Sequence, residues 1–248
     1  MPERSAPSGA FLLLKAFVRL PWFLLLLSSA TLLGCASANT PVSDAFSSLV
    51  VQVFASADAP VLGARLNPAY RYLRVDAQGQ SSALLVLGYI DPHPLGPIEV
   101  WYSGTGEVLK LQNGRIIATA GLAPDWRSVR FVTAPPQWSA VPAQGDSYQR
   151  VRDEMPAHRY GIAERIVVTP VPAGPPASVS VTLPSAQARG ANWFREDAQG
   201  SSGEDALPSA WFAWSNYQGQ PDVVYSQQCL SPTFCLQLMR WPLEGAAP

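Results

Sequence analysis

The chain has little charge, few cysteines and almost no histidine. Two histidines occur in 248 residues, His93 in Asp91-Pro92-His93-Pro94 and His158 in Pro156-Ala157-His158. Neither has another histidine or a cysteine at metal-ligand spacing, so both read as turn residues, and no metal or other cofactor is expected. Charged residues make up 14% of the chain and the formal net charge is −1. Binding to a phosphate backbone draws on a basic excess that is missing here, so no nucleic-acid partner is expected. No Gly-x-Ser-x-Gly nucleophile elbow is present. Gly145-Asp146-Ser147 matches the GDS block of some hydrolases only in part, because no apolar strand precedes it and no Asp-x-x-His follows. Glycoside cleavage needs two converging acids. The sequence-adjacent pairs Asp153-Glu154 and Glu204-Asp205 sit in loop-like settings and read as solvated turns. An enzyme is therefore not expected.

What the chain does have begins at Cys35, which follows Leu32-Leu33-Gly34. Lys15 and Arg19, the apolar run 20–33 and the small Gly34 are the parts of a secretory signal in order, and Leu-Leu-Gly-Cys reads as a bacterial lipobox. The charge-free run is shorter than the roughly 20 apolar residues of a membrane span. Cleavage before Cys35 removes residues 1–34 and makes this cysteine an acylated N-terminus. Stable anchoring takes more than one chain, so a multiply acylated Cys35 holds the following domain at a membrane. Ala36 is not the aspartate that retains many Gram-negative lipoproteins in the inner membrane, which favours the outer one. Residues 35–45, small and polar, suit a tether, and 46–248 read as one domain. Lys110 is the only lysine beyond the signal. Arginine, the better partner for planar anions, carries the other positive charges, a bias that high genomic GC content also produces. The remaining cysteines, Cys229 and Cys235, lie close together in an oxidising compartment and suit a local disulfide; two buried thiols in a final hairpin are the alternative.

Beyond the tether the apolar residues alternate with period two in many short runs. These are 70–75, 84–90, 98–102, 107–112, 162–169, 178–183, 210–214, 223–227 and 234–241. Asn113-Gly114 sits between two such runs and signals a two-residue hairpin with positive φ at both positions. The 24 prolines argue against long helices, leaving one short candidate near 43–54. The expectation is an all-β domain built as an antiparallel meander.

The stretch from Leu66-Asn67-Pro68 through Tyr70-Arg71-Tyr72-Leu73-Arg74-Val75 is followed by Leu87-Gly88-Tyr89-Ile90-Asp91 and Val100-Trp101-Tyr102-Ser103. Asn113-Gly114-Arg115-Ile116-Ile117 and Thr119-Ala120-Gly121-Leu122 come next. Together with Trp211-Phe212-Ala213-Trp214, Ser226-Gln227-Gln228 and Ser231-Pro232 near the end, this order resembles the YjbF/GfcB family of capsule and exopolysaccharide-operon lipoproteins. The resemblance implies a large antiparallel β-meander curled on itself into a barrel- or sandwich-like shape, with no known catalytic activity. It also implies an outer-membrane β-barrel export component as partner. A small secreted or periplasmic protein from the same operon would be a second neighbour.

The aromatics Trp101, Tyr102, Trp126, Trp138, Trp193, Trp211, Trp214 and Tyr217 suit either a sugar- or partner-binding face or a β core. Period two puts Trp211 and Ala213 on one face and Phe212 and Trp214 on the other, so at least one tryptophan faces outward. Arg115, just after the turn, can reach Glu107 or Asp125, a pairing that would fix the hairpin. Trp101, Tyr102, Arg115, Asp125, Trp211, Trp214 and Gln227 are the candidate binding or structural residues. Three function classes stay open: a polysaccharide-secretion accessory, a lipid or lipoprotein carrier with an apolar cavity, and a glycan hydrolase.

Overall fold

Alternating side chains turn successive residues to opposite faces of a strand, and that pattern organises the whole molecule. The structure, a computed structural model, describes residues 66–77, 82–177, 181–200 and 206–242. Cys35, the signal segment, the tether, the helix candidate at 43–54 and the Glu204-Asp205 pair lie outside these residues. The first meander comprises β1 (Tyr72–Ala77), β2 (Ala83–Asp91), β3 (Ile98–Tyr102), β4 (Val108–Gln112) and β5 (Arg115–Ala120). The second comprises β6 (Asp125–Phe131), β7 (Asp146–Met155), β8 (Arg159–Pro170), β9 (Asn192–Gln199), β10 (Ala210–Tyr217), β11 (Gln220–Ser231) and β12 (Phe234–Trp241). Strand β12 pairs antiparallel with β1, Tyr72 opposite Trp241 and Ala77 opposite Leu236. The two meanders thereby join into one sheet of order β5-β4-β3-β2-β1-β12-β11-β10-β9-β8-β7-β6. Its edge strands, β5 and β6, are consecutive in the chain, so the link 121–124 draws the two edges together and the sheet forms a nearly closed barrel.

Side chains from opposite walls meet inside. Leu73, Leu85, Trp101, Leu111, Ile116, Trp126, Leu230 and Leu238 fill one part of the interior. Trp138, Tyr148, Ile166, Val168, Phe194, Phe212 and Val223 fill another. A third cluster lies on the outer face of the central strands, where Tyr72, Trp193, Trp211, Tyr225, Met239 and Trp241 pack beneath Leu183, Val171, Val181 and Ala188 of the β8–β9 connection. Strands buried on both faces lose their polar alternation, hence the continuous Trp211-Phe212-Ala213. The connection carries the one-and-a-half-turn helix α1 (Ser185–Gly190), and the Trp193 indole N–H donates to the Ala188 carbonyl at 2.8 Å.

This connection corrects one expectation. Residues 181–183 of the expected strand 178–183 are not in a strand; their alternating apolar residues pack onto a sheet face instead of joining a ladder. Pro184 follows at once, and a proline supplies no ladder donor. Strands β6, β7 and β9 were not expected at all.

In the last hairpin Cys229 and Cys235 are direct cross-strand partners and are joined as a disulfide. Unfolding the unreduced protein and adding a thiol reagent should therefore label neither residue; stoichiometric labelling of both would contradict the bridge.

Candidate functional site

Six charged residues are buried among the described residues, Arg115, Arg152, Glu154, Glu164, Glu196 and Arg240, and the β4–β5 hairpin delivers the first of them. Asn113 and Gly114 have φ of +49° and +78°, as a two-residue turn with both central positions left-handed requires. The tip reaches across the barrel to the opposite wall. Gln228 of β11 accepts the Ile116 N–H at 2.9 Å and donates to the Gly114 carbonyl at 2.9 Å. Trp138 donates its indole N–H to the Asn113 carbonyl at 2.9 Å. Arg115 is thus carried into the interior, 3% exposed, and its Nε meets Glu196 Oε1 of β9 at 2.8 Å. Its guanidinium lies 3.8 Å from the centroid of the Trp138 ring, and the Tyr148 hydroxyl donates to the second Glu196 oxygen at 2.9 Å. Burial, reinforced by the Glu196 charge, pushes the Tyr148 phenol well above its ordinary value, so it stays a donor.

Arg115 therefore pairs with neither Glu107 nor Asp125, as the sequence suggested, but with a glutamate 81 residues away. Strand direction is the reason: the side chain points inward, and Asp125 belongs to the corner at the other end of β5. There the Asp125 carboxylate accepts the Thr119 hydroxyl at 2.7 Å and the Gly121 and Leu122 N–H groups at 3.0 Å each, while Trp126 N–H donates to Thr119 Oγ1 at 2.9 Å. Asp125 fastens the seam where the edge strands meet.

A second ionic group occupies the inner face of β7 and β8. Glu164 takes Arg150 at 2.8 Å and Arg152 at 3.0 Å. Glu154 takes Arg152 and Arg159, and the Trp126 ring lies 4.9 and 5.3 Å from the Arg150 and Arg152 guanidinium carbons. Burial lowers the Arg152 pKa against the opposing pull of Glu164. The expectation of a solvated turn at Asp153-Glu154 is overturned: both lie within β7. Glu154 points inward and is buried, whereas Asp153 points outward and accepts the Gly161 N–H at 2.8 Å.

A third ionic group ties β12 to β3 and β11. Arg240, 3% exposed, contacts Glu99 at 2.8 Å and Asp222 at 2.9 Å. Burial alone would lower its pKa, but the two carboxylates outweigh burial and hold it above the ordinary arginine value. Trp101, fully buried, donates to Glu99 at 3.3 Å beneath Arg240, 5.2 Å from its ring.

The remaining candidates do not converge with Arg115. Tyr102 is half-buried, with its ring 6.4 Å from that of Tyr89. Trp211 does sit on the outer face, yet the β8–β9 connection covers it to 6% exposure; Trp214 is half-buried against the interior cluster. Gln227 lies on the outer face, opposite Trp211 and Gln237, and its neighbour Gln228 is the one that grips the hairpin. Glu196, Tyr148 and Glu164 carried no local motif, and Gln228 stood only in the Ser226-Gln227-Gln228 stretch of the family resemblance; their partners from other strands give them roles. His158 lies in a turn, and His93 opens one, its carbonyl accepting the Gly96 N–H at 3.0 Å.

The family described as group 4 capsule polysaccharide lipoprotein gfcB, YjbF matches residues 52–238, most of the chain. The chain belongs to the YjbF family of capsule polysaccharide lipoproteins. The crystal structure of the hypothetical lipoprotein YmcC from Escherichia coli (K12) has a similar fold, with 19% identity and a TM-score of 0.57 over 84% of this chain and 97% of that one. No curated protein matches the chain closely enough to count as a relative.

Proposed function

We propose that this chain is an outer-membrane lipoprotein that acts without catalysis, as an accessory in capsule or exopolysaccharide secretion. Its β domain faces the periplasm and works by binding or assembly beside a β-barrel export component. The observation that carries the non-catalytic reading is the state of the interior acids. Glu154, Glu164 and Glu196 are each buried and each neutralised by arginine, which weighs against the accessible acid pair that a glycan hydrolase needs. A carrier needs an apolar chamber, whereas the apolar interior side chains pack against one another and the cavity beside Arg150, Glu196 and Gln228 is about 20 Å³, room for about one water molecule.

The membrane attachment rests on the lipobox and on the family. No helix among the described residues is long and apolar enough to cross a membrane. The outward positions Arg130, Gln149, Asp153 and Arg165 present charge and amide groups where a lipid-facing band would need apolar ones. Anchoring raises the effective concentration of the domain beside a membrane-embedded partner. A Cys35→Ser protein, exported to the periplasm in soluble form, should therefore restore little secretion in a strain lacking the gene, while the wild-type protein restores it fully. Equal rescue by both, or firm membrane attachment of the Cys35→Ser form, would overturn the anchored reading.

A further inference from the structure

Outside the barrel, α1 and the end of β10 enclose a cleft of about 380 Å³, within the range of small-molecule sites. Gln187 and Gly190 form one wall, Ser215 and Asn216 the other, and Tyr217 and Val224 lie deeper. No described residue lining the cleft carries a charge, so an anion or a cation meets no counter-charge from them. Among the described residues, Ser215 Oγ and the Asn216 carboxamide make no hydrogen bond within the chain. A hydroxyl and a carboxamide can each donate and accept. Exposed Asn216 and Gly190 mark the mouth, and the Tyr217 ring is held by its hydroxyl, which donates to the Trp241 carbonyl at 3.2 Å. The cleft thus offers amphoteric, uncharged polar groups at the rim over an apolar floor. A ligand that fits carries hydroxyls along its edge and C–H groups on its face, as a pyranose ring does.

We infer that this cleft binds an uncharged saccharide unit; in taking that unit to be part of the exported polymer, the inference rests on the capsule role proposed above. Gly190 supplies the test. Its φ is not in the left-handed region, and a Cβ built on it meets nothing within 4 Å, so Gly190→Trp adds an indole at the wall of the cleft with no clash at Cβ.

The full mature chain is titrated with glucose, galactose, N-acetylglucosamine and lactose, and with glucuronate as the charged control, while amide shifts are followed by NMR. At least one neutral sugar should give saturable shifts centred on 186–190 and 215–217. Gly190→Trp should weaken that binding at least tenfold with an unchanged melting temperature, and Asn216→Ala, an exposed change, should weaken it severalfold. Absence of saturable shifts with every neutral sugar, binding that survives Gly190→Trp, or tenfold tighter binding of glucuronate would each overturn the inference. In cells the two readings separate. If the gene is required for secretion but Gly190→Trp complements fully, the cleft assignment fails alone; if the gene is dispensable, the secretion role fails whatever the cleft binds.

Discussion

Replacing Arg115 with alanine is expected to lower the unfolding free energy by about 3–5 kcal/mol, the range for breaking a buried ion pair from one side. The arginine is 3% exposed and Glu196 is 5% exposed, so the substitution leaves a carboxylate inside the barrel whose remaining hydrogen bond among the described residues is the one from the Tyr148 hydroxyl. The cation–π contact with Trp138, worth up to about 2 kcal/mol when desolvated, disappears with it. Glu196→Gln should be destabilising for the complementary reason, a guanidinium left without its counter-charge. The double variant Arg115→Leu with Glu196→Leu should recover much of the loss, because apolar pairs of similar volume replace buried ion pairs at little cost. Urea unfolding of the four proteins measures all of these. A loss below about 1 kcal/mol for Arg115→Ala, the level of a solvent-exposed pair, would contradict a buried pairing.

The second large effect is expected at the tip of the same hairpin. Gly114 has φ +78°, and a Cβ there would lie 2.6 Å from Val223 Cβ. Gly114→Ala combines left-handed backbone strain of about 1–2 kcal/mol with overpacking of about 1–3 kcal/mol. The two parts are separable. In a Val223→Gly background, which removes the Cβ as well as both methyls, the steric part should vanish, and the cost of Gly114→Ala should fall to about 1–2 kcal/mol. An undiminished cost would mean that the tip is not seated against β11.

These two residues also mark what the sequence could convey. Asn113-Gly114 announced its turn because the signal is local: two positive φ angles need two permissive residues. The strands with apolar inner faces, such as β1 with Leu73, Val75 and Ala77 and β4 with Leu109 and Leu111, were legible for the same reason. Strands β6, β7 and β9 were not. Their inward positions include Arg150, Arg152 and Glu154 on β7 and Glu196 on β9, so burial, which period-two reasoning reads as apolar, is here satisfied by ion pairs. Asp153-Glu154 looked like a solvated turn because a buried glutamate paired to an arginine on its own strand and to Arg159 on the next has the composition of a loop. The partner of Arg115 was illegible for a different reason. The nearby acids are on the same hairpin or corner, and only the curl of the whole sheet brings Glu196 to it. At residues 181–183 alternation served packing onto a sheet face, which the sequence alone does not distinguish from a ladder. The resemblance to the YjbF family, by contrast, rested on the order of short motifs, and both the family match and the twelve-stranded sheet agree with it.

The secretion role is tested most directly by the distribution of polysaccharide in a strain from which the gene is deleted. Surface and secreted polymer should fall sharply while the intracellular pool is maintained or rises, and amide substitution of Asp153, on the outer face of β7, should leave export at the wild-type level. Unchanged surface polymer, or a parallel fall of both pools, would contradict the account.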